Sequence, residues 1–194
     1  MKAVILSLIL SIAGSLNGMA AVEAYMRIVG EPTFVEQGVP SSLVKEGFFP
    51  LGSVSIGVEN TVSIGSISAG GGAGKASFKS LILTKAPGRV STDLFKKLVS
   101  GNHYDEVEIV LLRSGGDPLA PTPYVMTFGL KLVMAESLDF QVSEGDDKPL
   151  EVVKLQFGAI RIRYYKQDAK GGVILGSEEV WSRVLNRPEY SAGL

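Results

Sequence analysis

Few side chains in this sequence are equipped for chemistry, and the spacing of each can be tested against a mechanism. The single histidine, His103, stands two residues before Asp105, and serines are frequent, so a Ser–His–Asp set can be drawn. Such a set works because the acid orients the imidazole and the imidazole takes the serine proton. It is defined by geometry that spacing does not supply, and just behind Gly101 a surface or turn histidine is ordinary. The acid pairs Asp146–Asp147 and Glu178–Glu179 have the residue types for general acid–base work or calcium ligation. Both lie in polar stretches and read as solvated turns. The run Gly70-Gly71-Gly72-Ala73-Gly74-Lys75 invites a phosphate-loop reading, in which backbone N–H groups and a lysine cradle phosphates. The pattern G-x-x-x-x-G-K-[ST] meets Ala69 at its first glycine and Ala76 at its hydroxyl, and the residues that follow read as strand rather than helix. Nucleotide binding is therefore not expected, and the glycines read as a flexible loop inside the domain.

Composition narrows the classes further. With no cysteine the chain has no disulfides, thiol nucleophiles or Cys-ligated metal clusters, and one histidine leaves no multi-histidine site. No metal or cofactor is expected. Lys plus Arg is 19 against 20 for Asp plus Glu, a net charge of -1, without the positive excess that a nucleic-acid partner requires. The 45% apolar fraction is ample for a core, and 20% charged residues argue against wholesale disorder. A length of 194 residues suits one domain or two very small ones.

Part of that apolarity is concentrated at the start. Met1-Lys2 precedes the apolar run Ala3–Leu16, which is shorter than the roughly 20 residues of a membrane span. A basic start, a short apolar stretch and then Gly18-Met19-Ala20 predict a signal peptide over residues 1–20, cleaved before Ala21. A single domain over 21–194, with no membrane span and a secreted or periplasmic location, is then expected. A buried first helix, or a true start near Met19 or Met26, is the alternative.

The remaining chain must position whatever site exists, and it reads as mostly strand. Apolar residues alternate with polar ones in Tyr25–Val29, Ser53–Val58, Phe78–Thr84 and Glu106–Arg113, then in the longer stretches Tyr124–Phe140 and Leu150–Tyr165. Val54, Ile56 and Val58 share one face of their strand. Ser91–Gly101 breaks the pattern with a hydroxyl cap, an early acid and a terminal glycine, predicting one helix with Leu94 and Leu98 on its apolar stripe. Such a short helix needs a sheet to lie against. Trp181 reads as a packing residue, and residues 34–49 give no strand signal.

The order of short motifs adds a resemblance. Phe78-x-x-Leu81-x-Leu83-Thr84-Lys85, then Ser91-Thr92-x-Leu94, then Ser100-Gly101-x-His103-Tyr104 resembles the haemolysin-coregulated protein (Hcp) family, which builds the inner tube of type VI secretion systems. The glycine run into Gly74-Lys75, Arg113-Ser114-Gly115-Gly116-Asp117, and Leu155-Gln156-Phe157 followed by Tyr164, Gly171-Gly172, Trp181 and Asn186 are also similar to that family, over about residues 24–188.

The resemblance implies an all-β dominated fold: a small β-barrel of two sheets with one short α-helix alongside. It also implies a non-enzymatic subunit that forms hexameric rings with itself, stacks them into a tube, carries effector cargo in the lumen and meets sheath or spike proteins. The family's lumenal strand has a serine between two aromatics followed by glycine. Val54-Ser55-Ile56-Gly57 keeps Ser55 and Gly57 and makes both flanking positions aliphatic. Gly70, Gly71, Gly72, Gly74 and Lys75 fall where the family has an extended loop at ring-to-ring contacts. A signal peptide departs from the family, whose tubes load in the cytoplasm, so the alternative function is an exported Hcp-like binding or structural module outside any sheath.

Overall fold

The computed structural model describes residues 21–31, 38–63, 72–113, 124–145 and 147–193. The expected signal peptide over residues 1–20 lies outside them, as do Gly70, Gly71, the Ser114–Asp117 motif and Asp146. In chain order the elements are β1 (Val22–Ile28), α1 (Ser41–Val44), β2 (Phe49–Leu51), β3 (Ser53–Ser55), β4 (Val58–Ser63), β5 (Gly72–Phe78), β6 (Leu81–Lys85), α2 (Arg89–Ser100), β7 (His103–Arg113), β8 (Tyr124–Gln141), β9 (Leu150–Gln167) and β10 (Val173–Ser182). The all-β expectation with one substantial helix is met.

Eight of the strands form one antiparallel sheet in the order β2-β1-β7-β8-β9-β6-β3, with β10 added beside β9. Its two ends nearly meet, because β2 pairs with β1 while β3, only one residue on, pairs with β6. Gly52 is the corner: its N–H donates to the Thr84 carbonyl at 2.8 Å, and a Cβ there would lie 2.9 Å from Thr84 Oγ1. Closing a sheet on itself removes most of its unpaired edge. The β4–β5 ribbon is the small second sheet.

Period-two alternation fills the interior. Leu81 and Leu83 of β6, Val107 and Ile109 of β7, and Val153 and Leu155 of β9 are buried in one cluster. A second cluster lies on Tyr25, Val110 and Leu112, where α1 and the turn after it lay Leu43 and Phe48 over β1 and β7. That is the role of the stretch that showed no strand signal. Burying Leu43 and Phe48 contributes roughly 1.5–3 kcal/mol each.

The β8–β9 hairpin, 18 residues in each strand, is long enough to need a bend. Within it Leu132 takes a left-handed conformation (φ 51) opposite Gly158, at which a Cβ would meet Leu132 Cβ at 3.1 Å, and the register shifts between Ala135 and Ser137. Around Gly158 β9 exchanges one neighbour, β6, for another, β10.

Three expectations are corrected. The alternation from Val54 to Val58 breaks at Ile56-Gly57, so Val58 leaves the barrel, begins β4 and is 60% exposed. The helix starts two residues earlier than Ser91, with Gly88 as its N-cap; Ser91 Oγ accepts the Gly88 N–H at 2.8 Å from inside the first turn. Glu178–Glu179 lies in β10 rather than in a turn, and Glu178 is ion-paired with Arg163 on β9. The helix ends as expected at Gly101, φ 66, a left-handed cap that costs glycine nothing. Of its stripe, Leu94 is buried.

The barrel also buries charge. Lys85 and Glu151 are register partners on β6 and β9, and their side chains are fully enclosed. Lys85 Nζ donates to Glu151 Oε2 at 2.8 Å, to Ser91 Oγ at 3.0 Å and to the Ala86 carbonyl at 2.7 Å. Removing one partner of such a pair leaves the other ion buried alone. Lys85→Met is therefore expected to cost about 3–5 kcal/mol in urea unfolding. Lys85→Met with Glu151→Leu is expected to recover most of that loss; no recovery would show that the pair is not an isolated electrostatic unit.

Candidate functional site

The structure places Ser55 at the exposed end of β3 and Gly57 in the two-residue break before β4. Both line a cleft of about 410 Å³ whose other walls include Val54, Ile56, Phe78, Phe128, Ile160 and Ile162. The cleft exists because the chain leaves the barrel at Gly57, and the ribbon it then builds turns back through Phe78 into β6. Gly57 is held under Lys79: its carbonyl accepts the Lys79 N–H at 2.9 Å, and a Cβ would lie 3.2 Å from Lys79 Cδ. Lys79 Nζ in turn pairs with Glu59 of β4 at 3.0 Å across the surface. The site thus offers an apolar floor, one hydroxyl and backbone at its rim. That surface can bind by contact and hydrogen bonding; it offers no nucleophile with an adjacent base.

Gly72, Gly74 and Lys75 lie in β5, so the strand begins four residues before Ala76 and the region is a ribbon rather than a free loop. Its register runs Val58↔Phe78, Glu59↔Ser77, Asn60↔Ala76, then shifts to Val62↔Ala73.

The other candidates do not converge. His103 Nε2 lies 3.4 Å from Asp105 Oδ1, but both are neighbours on one face of β7 and Asp105 is almost wholly exposed. Among the described residues no serine hydroxyl bonds to His103, so no Ser–His–Asp set is assembled there. Among the described residues no three His, Asp or Glu side chains cluster as metal ligands. No described helix is long and apolar enough to cross a membrane. Trp181 packs partly buried against the main core, as its reading as a packing residue requires.

Sequence reasoning missed the buried pair of Lys85 and Glu151, although a signal existed. Lys85 follows Leu81 and Leu83 at period two, and Glu151 precedes Val153 and Leu155 in the same way, so opposite charges stand at inward positions of two strands. It also missed a group of anchored phenols. Tyr104 donates to Asp93 Oδ2 at 2.8 Å, tying β7 to α2, and Tyr190 donates to Glu106 Oε1 at 2.8 Å beneath the Arg161 guanidinium. Tyr25 bonds Glu23. Burial first, and then hydrogen bonding to a carboxylate, holds the Tyr25, Tyr104 and Tyr190 hydroxyls above the ordinary tyrosine range; burial does the same for Tyr124.

A nearly closed antiparallel sheet with a lateral ribbon, one substantial flanking helix and an open apolar cleft defines a small β-barrel protein. The profile of the family described as "Type VI secretion system effector, Hcp" matches residues 25–164, and the chain belongs to that family. The fold is similar to a solved "type six secretion system protein" at 21% identity and TM-score 0.73, covering 87% of this chain and 100% of that one. Hcp1 from Salmonella typhimurium follows at 19% and 0.63, covering 88% and 100%. A type VI secretion system effector from Yersinia pestis gives 16% and 0.59, covering 82% and 98%. No curated protein sequence matches the chain.

The phenols give a pH prediction. A raised folded-state pKa means that folding favours the protonated form, so this stabilisation is complete below the ordinary value of 10.0 and is lost as pH rises above it. Phenolate absorbance should show Tyr25, Tyr104, Tyr124 and Tyr190 ionising later than free tyrosine. The urea midpoint should fall between about pH 8 and pH 11. All six tyrosines titrating near 10.0 with an unchanged midpoint would contradict the anchored phenols.

Proposed function

We propose that this chain, as one domain over residues 21–194, is a ring-forming subunit that assembles with itself into hexamers. The hexamers stack into a tube of the type VI secretion kind, and the face carrying Ser55 and Gly57 lines the lumen and holds effector cargo. The observation that carries this reading is the family match over residues 25–164. Surface apolarity supports it. Phe140, Val142 and Leu150 at the tip of the β8–β9 hairpin are 59%, 72% and 41% exposed, and Ile174 and Leu175 lie open on β10. Neighbouring subunits would cover such positions, and head-to-tail contacts that close into a ring multiply a modest interface. The β4–β5 ribbon, whose second strand carries Gly72, Gly74 and Lys75, is together with Gly70 and Gly71 just before it in sequence the proposed contact between stacked rings, and sheath or spike proteins are the proposed further partners.

The N-terminal pattern of Met1-Lys2 and Ala3–Leu16 favours a second reading, in which an Hcp-like module is exported and acts outside any sheath. N-terminal sequencing of the native protein separates the two. Ala21 at the start supports the exported module, and an intact Met1 removes it.

Light scattering tests the ring directly, with the mass of six chains expected and one chain at tens of micromolar contradicting it. Because the chain has no cysteine, Ser55→Cys introduces a single thiol. In assembled protein that thiol is expected to react readily with a small maleimide and far more slowly with a polymer-linked maleimide too wide for a lumen. Equal rates for both reagents would place Ser55 on an outer surface.

A further inference from the structure

Where β10 ends, the chain turns through Arg183–Asn186 and Ser182 bridges back to Arg187. This turn, the inner end of β5 and Phe157 enclose a second pocket, of about 440 Å³, separate from the Ser55 cleft apart from the shared ring of Phe78. Arg183 is its charged group. The guanidinium carbon sits 4.8 Å from the Phe157 ring centre and 5.4 Å from that of Phe78. Its Nη1 donates to Gln156 Oε1 at 3.0 Å and to the Phe157 carbonyl at 2.8 Å, which fixes the group in place. The N–H groups of Nε and Nη2 are left with no hydrogen bond among the described residues. Burial also makes the cation harder to keep, lowering its pKa from the ordinary arginine value.

Among the described residues this arginine has no counter-charge. The other half-buried arginines are all satisfied: Arg27 has Glu46 and Glu108, Arg161 has Glu106 at 3.9 Å, and Arg163 has Glu178. No carboxylate of the described residues lies within ion-pair distance of Arg183. The nearest acid in its network is Glu136, and Gln156 stands between them, donating from Nε2 to Glu136 Oε2 at 2.7 Å while its oxygen accepts from Arg183. Ser80 also donates to Glu136, so that carboxylate is committed elsewhere. A partly desolvated guanidinium with a free edge, aromatic rings on its faces and no anion is a receptor for a planar anion.

We propose that this pocket binds a carboxylate attached to an apolar or aromatic body. The free edge of Arg183 takes the carboxylate oxygens, and Trp181, Phe78 and Phe157 hold the body. A small aromatic acid and the C-terminal carboxylate of an apolar-ended polypeptide share that chemistry. Because Ala76, Ser77 and Phe78 belong to the ribbon, a bound ligand also braces the ribbon against the barrel. The site is independent of ring formation and stands or falls separately from it.

Trp181 is the only tryptophan and lines the pocket, so its emission reports occupancy directly. The full chain is titrated with benzoate and benzamide, and with N-acetylphenylalanine and its amide. The acids are expected to change the emission saturably and to bind at least about tenfold more tightly than the amides, the measure of a charge-assisted pair. Saturation by N-acetylphenylalanine as well as benzoate indicates a polypeptide terminus, and saturation by benzoate alone a small acid. No saturation by either acid, or equal binding of acids and amides, overturns the proposal. Arg183→Gln with an unchanged circular dichroism spectrum is expected to lose the acid response, and an undiminished response in that variant also overturns it. The acid–amide comparison uses the wild-type protein, so it decides the matter even where the variant does not fold.

Discussion

Lys85 and Glu151 join three parts of the molecule through one ammonium group: strand β6, strand β9 and the first turn of α2. Moving two ions out of water costs several kcal/mol each, and attraction between them offsets this only when geometry and extra hydrogen bonds are good. Lys85 meets that condition with three acceptors. Glu151 meets it less fully, because its Oε1 is buried without a hydrogen-bond partner. The pair therefore adds little net stability over an apolar replacement, and its importance is positional. A one-residue slip of β6 along β9 would turn Lys85 and the apolar side chains of β6 to the other face and leave Glu151 buried without its partner. Slippage is thus opposed by the charges and by the core together.

The rest of the barrel follows from that register. With β6 fixed on β9, Thr84 presents the carbonyl that receives Gly52, and the sheet can close. Closure places Val54 and Ile56 against the interior and forces the chain outward at Gly57, which creates both the ribbon and the apolar cleft beside Ser55. The same register sets Ser91 over Lys85, so α2 starts where the strand ends, and Tyr104 clamps its body through Asp93. The wall proposed to face cargo is in this sense a consequence of an ion pair on another strand.

Much of this was legible in the sequence, for a physical reason. Long strands such as β7, β8 and β9 bury one face, and period-two alternation records it. The αL cap at Gly101 and the short helix were legible because capping depends on neighbouring residues. What escaped depends on distant ones. Gly88 rather than Ser91 caps α2, and Ser91, inside the first turn, bonds Lys85, whose ammonium is set by Glu151 on β9, 66 residues away in sequence. Glu178–Glu179 looked like a turn because β10 is an exposed strand whose charges pair sideways with β9, leaving little alternation to read. Leu43 and Phe48 carry no strand signal because they form a cover rather than a strand. The Ser55–Gly57 pair was visible as a motif, but the cleft was not, since its walls come from six separate strands and the break after β3.

An Hcp-family barrel that keeps its core charges inside and leaves apolar residues on its hairpin tip and on β10 is suited to assembly with copies of itself. The central claim is that this assembly is a closed ring of six. Electron microscopy of the purified protein tests it without knowledge of any cargo. The account predicts end-on averages with sixfold symmetry and a central hole. A field of single compact particles at tens of micromolar, with no rings, would contradict it.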